Sequence, residues 1–244
     1  MPDGSVFCQA CGHKMVSDTN QHSQIQHEQK NLSPTSLKVA DSSSQLLNHL
    51  NYLFRKSNVH KESMVVAYDD QMAGSARLWF LLKYMGHDNV SILDGGIQEW
   101  VRAGFNLSTE VPPPGNGDII PKINSEIIAS LDEVKNLEGR KLIDCRERIR
   151  YRGIEEPIDR KAGHIPNAIN IPYSDLLSNN HYIEDTKIKN IFKEIPEGSI
   201  VYCGSGVTSC VNLFAMEKIG LNPKVYVGSW SDWISYDENE IARE

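Results

Sequence analysis

The sequence of 244 residues lacks any hydrophobic run long enough to cross a membrane. Its apolar stretches, such as residues 64–68 and 79–82, are only a few residues long, whereas a transmembrane helix needs about 20. Residues 1–4 carry no basic side chain and no apolar segment follows them, which is not the pattern of a secretory signal peptide. We therefore expect a cytoplasmic protein without a membrane partner.

Basic residues are also in short supply. Lys and Arg number 25 against 32 Asp and Glu, which gives a formal net charge of −7. Nucleic acids and anionic membranes bind basic surfaces, so this balance argues against a nucleic-acid partner as well.

Cysteine is sparse, and its count is odd. The five residues are Cys8, Cys11, Cys145, Cys203 and Cys210. Small secreted proteins that depend on disulfides normally carry a denser, even set. We therefore expect reduced thiols, and Cys145 and Cys210 are expected to pack as small hydrophobic side chains.

Two segments are poor in residues that build a core. Residues 17–45 are rich in Gln, His, Asn, Ser and Thr and can bury too little apolar surface to offset chain entropy, so we predict a disordered linker there. Residues 109–118 contain three consecutive prolines and two glycines. This composition is typical of an exposed connection between domains.

Outside these segments, short β-rich runs alternate with helical patterns. Apolar residues at helical spacing predict helices that end at Gly86 and Gly220, and Ser130 with Glu133 has the spacing of a capping box before a helix that ends near Gly139. Such alternation predicts an α/β fold with a largely parallel sheet flanked by helices. The predicted strands are residues 64–68, 90–93, 142–144, 169–171, 200–202 and 225–227.

The chain also contains an internal repeat. A strand that ends at Asp69, a helix, a second strand and Trp100 recur as a strand before Cys203, a helix, a second strand and Trp233. The offset is 203 − 69 = 134 at the strand end and 233 − 100 = 133 at the tryptophan. We therefore predict two related α/β modules in tandem, with Asp69 at the position of Cys203.

The segment between the predicted strand and helix of the second module has the features of a reactive site. Ligands bind beyond the carboxyl ends of parallel strands, and glycines let successive N–H groups point inward around an anion. With the positive N-terminus of the next helix, this arrangement favours a thiolate, so Cys203 should have a lowered pKa and be accessible to solvent. The segment reads Cys203-Gly204-Ser205-Gly206-Val207-Thr208.

These residues resemble the active-site loop of the tandem rhodanese family, the thiosulfate and 3-mercaptopyruvate sulfurtransferases. The resemblance runs from about residue 46 to the C-terminus and is greatest for bacterial members. It implies tandem rhodanese-like domains, and residues 119–244 would form the catalytic domain. Its further motifs lie at residues 142–147, 150–153, 156–159, 163–166 and 228–233, and in the first module at residues 68–70, 76–79 and 93–96.

The resemblance implies a ping-pong sulfur transfer without a cofactor. Cys203 would take a sulfur atom from a small-molecule donor as a persulfide and pass it to cyanide or to a thiol such as that of thioredoxin. Arg150 matches the arginine that binds the anionic donor, and Ser205 matches a serine that polarises donor or thiol. The remaining loop residues implied to bind substrate are Gly204, Gly206, Val207 and Thr208.

The neutral residues of the loop bear on the choice of donor. Relatives that prefer thiosulfate carry basic residues at the positions of Gly204 and Ser205, so 3-mercaptopyruvate is the favoured donor here. His164 is expected to be architectural, and Asp144 and Arg146 are expected to pair with each other or with the backbone.

The first module departs from the family pattern. A complete rhodanese domain opens with a strand and a His-Ile-Pro turn before the helix that precedes Met64, and both are missing. We predict a partial, inactive domain at residues 46–108, whose sheet lacks strands and has open edges. An alternative function follows, a binding or regulatory module that has lost turnover. The sequence argues strongly against an arsenate reductase or phosphatase, because such an enzyme needs an arginine where this chain has Ser209.

Residues 1–16 resemble a fragment of a zinc ribbon, because Cys8 and Cys11 are separated by two residues. A structural zinc ion takes four ligands, usually from two such pairs. A zinc ion on Cys8 and Cys11 would therefore need His13 or a second chain to complete its ligands.

Overall fold

The computed structural model describes the backbone of residues 6–7, 14–17, 39–110 and 112–244, with side chains from residue 47 onward within these ranges. The chain divides into two compact units, Met1–Asn124 and Ser125–Glu244.

The boundary between the units lies later than the sequence predicts. The sequence places a linker at residues 109–118 and starts the second domain directly after it. In the structure, residues 119–124 belong to the first unit. Their backbone is bound there, since Lys122 N–H donates to the Met85 carbonyl oxygen at 2.8 Å.

The first unit contains a sheet in the order β1-β2-β3-β4. The β3 and β4 strands are parallel, and β1 is antiparallel to β2. The elements are β1 (Val6–Phe7), β2 (Lys14–Ser17), α1 (Val39–Lys56), β3 (Val65–Tyr68), α2 (Ala73–Tyr84), β4 (Val90–Ile92) and α3 (Gly96–Arg102).

The β2 strand lies parallel to β3, with Val16 opposite Ala67. The prediction of open edges is wrong for this edge of β3, because β2 supplies partners for its N–H and C=O groups. This strand straddles the limit between the predicted zinc-ribbon-like fragment, residues 1–16, and the predicted linker, residues 17–45. The α1 helix also covers the end of that linker, from Val39 onward.

The second unit is built around a parallel sheet in the order β10-β9-β5-β6, and β7 and β8 form a separate antiparallel pair. Short 3-10 turns lie at Ser125–Ile127 and Tyr173–Leu176. The elements are α4 (Leu131–Lys135), β5 (Leu142–Asp144), α5 (Arg148–Tyr151), β6 (Ala168–Asn170), β7 (Leu177–Ser178), β8 (His181–Tyr182), α6 (Asp185–Ile191), β9 (Ile200–Tyr202), α7 (Ser209–Lys218), β10 (Lys224–Val225) and α8 (Ser229–Trp233).

The two central strands of this sheet, β5 and β9, are buried along their whole length. Strands that are covered on both faces consist of nearly continuous apolar residues, and here Leu142 and Ile200 join Trp230 in the core. The predicted α/β fold with parallel strands flanked by helices is confirmed. Burial on both faces fixes the carboxyl ends of β5 and β9, where the candidate site begins.

The predicted capping box is present at the start of α4. Glu133 N–H donates to Ser130 Oγ at 3.2 Å, and Ser130 N–H donates to the Glu133 carboxylate at 3.0 Å. The helix ends at Lys135, earlier than the predicted end near Gly139, because Asn136 adopts an extended conformation.

Replacing Ser130 with alanine is expected to lower the free energy of unfolding by about 1 kcal/mol, since it removes the side-chain acceptor of the first turn. Urea unfolding of the whole chain, followed by circular dichroism, measures the change. Thr186→Ala is the control, because this exposed hydroxyl in α6 makes no hydrogen bond within the described residues. An equal loss in both variants would contradict the role of the cap.

The internal repeat is visible in the hydrogen bonds of both units. Ile97 N–H, at the start of α3, donates to the Asp69 carbonyl oxygen at 3.2 Å, and Trp230 N–H, in α8, donates to the Cys203 carbonyl oxygen at 3.0 Å. Asp69 and Cys203 therefore hold equivalent places after β3 and β9.

None of the helices in the described part of the chain combines the length and apolar character that a bilayer crossing requires.

Candidate active site

Cys203 lies directly after β9, at the carboxyl end of the sheet, and begins the loop of residues 203–208 that leads into α7. Its backbone is held by the start of α8, because Cys203 N–H donates to Ser229 Oγ at 3.1 Å and its carbonyl oxygen accepts from Trp230 N–H at 3.0 Å. The position of the sulfur atom is thus fixed by two elements that are far apart in the sequence.

The surroundings of the Cys203 sulfur favour its anionic form. Burial acts in the other direction and by itself raises the pKa of the thiol. The Ser209 and Thr208 hydroxyls and the N–H groups of Ser209 and Ser205 stabilise the thiolate and together outweigh burial, so the pKa of Cys203 lies below its ordinary value. The direction agrees with the sequence prediction.

The sequence also predicts an accessible sulfur, whereas Cys203 is only 2% exposed. The reason is that the groups that stabilise the thiolate are close-packed around it, so they also cover it. Ser205, in the middle of the loop, is exposed.

Ser209 is a site residue that sequence reasoning missed. Its side chain is 0% exposed, and its hydroxyl has no hydrogen-bond partner among the described residues in the resting structure. A buried hydroxyl without a partner is costly, and Ser209 is free to donate to the Cys203 thiolate when the thiol ionises. The available signal was a second hydroxyl directly after Thr208, at the first residue of the helix.

Ser209→Ala is expected to raise the pKa of Cys203, because the largest of the stabilising hydrogen bonds is lost. The rate of alkylation by iodoacetamide, measured across a pH series, should then have its midpoint at higher pH. Ser235→Ala, which removes an exposed hydroxyl bound to the Asp232 carbonyl oxygen, should leave the midpoint unchanged. An unchanged midpoint in Ser209→Ala would remove this residue from the site.

The two loop glycines have different roles. Gly206 has a φ of 77°, and a Cβ atom there would lie 2.6 Å from the Val227 carbonyl oxygen, so this turn requires glycine. Gly204 does not adopt a left-handed conformation. A Cβ atom at Gly204 would lie 3.5 Å from Nη2 of Arg150, which shows how closely the guanidinium approaches the loop.

Arg150, in α5, is therefore brought to the Cys203 loop as the sequence predicts. Its Nη2 lies 2.6 Å from Glu156 Oε1 and 3.1 Å from Asp159 Oδ2, and its Nε lies 3.0 Å from Glu156 Oε1. Within the described residues, Nη1 makes no hydrogen bond. The two carboxylates orient the guanidinium and leave one of its edges for an anion.

Ser231 connects this arginine to the loop. Its hydroxyl lies 2.7 Å from Asp159 Oδ1 and 2.8 Å from the Gly204 carbonyl oxygen, and its N–H donates to the same carbonyl at 3.0 Å. Since Asp159 also binds Arg150, the anion-binding side chain and the loop backbone share one hydrogen-bonded chain. In the sequence, Ser231 stands out only as one residue of the motif at residues 228–233.

The other loop residues complete the turn. Val207 is half-buried, and its carbonyl oxygen accepts from Cys210 N–H at 3.1 Å, where α7 begins. Thr208 is half-buried, and its hydroxyl helps to lower the pKa of Cys203. The structure therefore brings together the residues predicted for the second module, including Ser205, whose N–H also lowers that pKa.

The residues expected to be structural have structural contacts. Arg146 is 1% exposed, and its Nη2 and Nε donate to the Asp144 carboxylate at 2.7 and 3.1 Å, while its Nη1 donates to Glu156 Oε2 at 3.1 Å. The ring of His164 stacks on Tyr151 with centroids 3.8 Å apart, and its Nδ1 lies 2.7 Å from the Tyr151 carbonyl oxygen. These contacts fit the architectural role expected for His164.

The equivalent place in the first unit is filled by a carboxylate. Asp69 is 5% exposed, and its two oxygens accept from Met72 N–H at 2.8 Å and Gly74 N–H at 2.7 Å. The turn of the first unit thus binds an anion that belongs to its own chain.

Zinc binding stays a prediction. Cys8 and Cys11 lie outside the described residues. Within the part of the chain that the structure describes, no group of three or more His, Cys, Asp and Glu side chains is placed to hold a metal ion.

Known proteins resemble this chain over most of its length. A family model for the rhodanese-like domain matches residues 22–103 and 129–236, and its first match begins inside the predicted linker. The "Probable 3-mercaptopyruvate sulfurtransferase" of Pseudomonas aeruginosa is 36% identical over 196 residues, which cover 75% of this chain and 69% of that protein. The "Putative thiosulfate sulfurtransferase SseB" of Mycobacterium tuberculosis is 34% identical over 200 residues, 78% of this chain and 70% of that protein.

A solved structure shares the fold. It is the anaerobic ergothioneine biosynthesis enzyme from Chlorobium limicola in complex with trimethyl histidine, with a TM-score of 0.70 and 24% sequence identity. The match covers 78% of this chain and 53% of that one, so this chain spans about half the length of the solved protein.

Proposed function

Because this chain belongs to the rhodanese-like family and is a sulfurtransferase, we propose that Cys203 carries sulfur as a persulfide from a donor to a thiol or cyanide acceptor. The observation that carries this proposal is the set of donors around the sulfur. Two hydroxyls and two N–H groups, from Ser205, Thr208 and Ser209, lower the pKa of a buried thiol. Sulfur transfer of this kind needs no cofactor.

In the first half-reaction, the Cys203 thiolate attacks the sulfur of 3-mercaptopyruvate. An S–S bond forms and the C–S bond of the donor breaks, so that the electron pair leaves on carbon as the enolate of pyruvate. The enolate takes a proton to give pyruvate. The donors that stabilise the thiolate of Cys203 also stabilise the persulfide anion, because both carry their charge on sulfur.

In the second half-reaction, the acceptor thiolate attacks the outer sulfur of the persulfide. The S–S bond breaks, and Cys203 leaves as a thiolate with its charge again stabilised by Ser209 and Thr208. A thiol of low pKa is a good leaving group in such exchanges. A dithiol protein such as thioredoxin suits this step, because its second thiol can then release the sulfur as sulfide.

The charges beside Arg150 favour 3-mercaptopyruvate over thiosulfate. Two guanidinium groups, those of Arg146 and Arg150, face three carboxylates, those of Asp144, Glu156 and Asp159. A donor with a single negative charge can bind at the Nη1 edge of Arg150, whereas a dianion meets more repulsion there. The loop offers no compensating cation, since Gly204 and Ser205 are neutral.

Mass spectrometry of the intact protein tests the proposal. Reduced protein incubated with 3-mercaptopyruvate should gain the mass of one sulfur atom, with less gain from thiosulfate, and cyanide should remove it. Peptide mapping should locate the added sulfur on Cys203. Absence of sulfur uptake from both donors would contradict the proposal and favour a binding or regulatory module.

A further inference from the structure

The second unit contains two cysteines that the proposed reaction does not use. Cys145 directly follows β5, and Cys210 lies in the first turn of α7. Both are 0% exposed, and neither is in a disulfide. Their positions relative to Cys203 differ, and the difference decides which of them can react with it.

The sheet places Cys145 next to Cys203. Asp144 lies opposite Tyr202 in the parallel pair of β5 and β9, and the ladder continues, since Cys145 N–H donates to the Tyr202 carbonyl oxygen at 2.8 Å. The next residues in register are Cys145 and Cys203. Neighbouring strands lie about 4.8 Å apart, which is within the range of about 4.4–6.8 Å between the Cα atoms of a disulfide.

The side chains of the two cysteines share one face of the sheet. Residues in register on parallel strands project to the same side, because successive side chains alternate. Burial raises the pKa of the Cys145 thiol well above its ordinary value, and the negative charge of Cys203 raises it further. Cys145 is therefore a protonated thiol, enclosed by protein and within electrostatic reach of the Cys203 thiolate.

Cys210 belongs to a helix, whereas Cys145 continues the sheet and donates its thiol proton to the Ile143 carbonyl oxygen at 3.7 Å. Its Sγ lies 3.3 Å from the Gly206 carbonyl oxygen, which is a hydrogen bond within the first turn of its helix. It is one turn into α7 and has no strand register with Cys203.

We propose that Cys145 and Cys203 form a dithiol site that reacts with hydroperoxides. The Cys203 thiolate attacks one peroxide oxygen, the O–O bond breaks, and the leaving oxygen takes a proton to give water or an alcohol. Cys203 is then a sulfenic acid. The Cys145 sulfur attacks the Cys203 sulfur, the S–O bond breaks, and the thiol proton leaves with the hydroxyl group as water. Two thiols are oxidised to a disulfide and one peroxide is reduced.

The disulfide protects Cys203 and is reversible. A sulfenic acid without a nearby thiol is oxidised further to a sulfinic acid, which thiols do not reduce. A disulfide, in contrast, is cleaved by a thiol reductant through thiol–disulfide exchange. The disulfide would thus keep Cys203 in a form from which a thiol reductant regenerates the Cys203 thiol.

The experiment compares the full chain with Cys145→Ala and Cys210→Ala. Each reduced protein is treated with a small excess of hydrogen peroxide, then with dithiothreitol, and free Cys203 is measured by alkylation and mass spectrometry. In the wild type and in Cys210→Ala, peroxide should remove two hydrogen atoms and dithiothreitol should restore Cys203. In Cys145→Ala, Cys203 should instead gain two oxygen atoms, and the restored fraction should fall severalfold.

Peptide mapping of the oxidised wild type gives a result that needs no variant. A peptide pair that joins Cys145 to Cys203 supports the proposal, and a pair that joins Cys203 to Cys210, or full recovery of Cys203 in Cys145→Ala, overturns it. Sulfur uptake from 3-mercaptopyruvate by the reduced proteins is measured in parallel. Because that uptake does not require Cys145, the dithiol site and the persulfide function can fail independently.

Discussion

Replacing Cys203 with serine is expected to reduce sulfur transfer by at least about a thousandfold, because the covalent intermediate has no atom on which to form. A serine hydroxyl is a much weaker acid than a thiol, so the hydrogen bonds from Ser209 and Thr208 cannot ionise it. The steady-state rate of pyruvate formation from 3-mercaptopyruvate, with a thiol acceptor, measures the loss.

Cys210→Ser is the matched control, because it makes the same chemical change at a buried cysteine of the same unit. It should retain turnover and sulfur uptake. Substantial turnover in Cys203→Ser, with a folded protein by circular dichroism, would mean that another residue carries the sulfur.

Replacing Arg150 with alanine is expected to weaken binding of the anionic donor. A hydrogen bond to a charged group contributes about 1.5–3 kcal/mol, or roughly 10- to 150-fold in affinity. The variant also leaves Asp159 without a paired cation, whereas Glu156 keeps Arg146, so the charge of Asp159 repels the donor. The expected kinetic result is a large rise in KM for 3-mercaptopyruvate and a smaller change in kcat.

A pair of alkylating agents separates charge from structural damage. Arg150→Ala should slow alkylation of Cys203 by anionic iodoacetate more than by neutral iodoacetamide. Arg148→Ala is the control, since Arg148 lies in the same short helix but binds Asp175, at 3.0 Å, and has an exposed side chain. Equal slowing by both reagents in Arg150→Ala would assign this residue a structural role only.

Features that depend on neighbouring residues could be predicted from the sequence. The capping box at Ser130 needs only two side chains three residues apart, and β9 followed by α7 is visible as an apolar run followed by helical spacing. The pairing of Asp144 with Arg146 also spans only two residues. The family resemblance added Arg150, which the sequence alone could not have placed beside the Cys203 loop.

Features that depend on contacts between distant segments could not be predicted. The pairing of β2 with β3 joins residues about fifty positions apart in the sequence. Ser231 acquires its role only when α8 packs beside the loop, so that Asp159 and Gly204 meet at one hydroxyl. The enclosure of Cys203 has the same origin, because a loop that surrounds its own first residue leaves no trace in hydrophobic spacing.

The carboxylate of Asp69 has a consequence for the chemistry of the duplicated turn. Both copies of the turn present backbone amides to an anion. A carboxylate, unlike a thiolate, does not form a bond to sulfane sulfur. The amides of the first copy are therefore already hydrogen-bonded by a side chain of the same turn, and this copy cannot carry sulfur. The second copy holds the Cys203 thiolate, which can gain and lose a sulfur atom without a change in the surrounding backbone. The exchange of one side chain, aspartate for cysteine, thus distinguishes a turn that is only structural from one that can carry sulfur repeatedly.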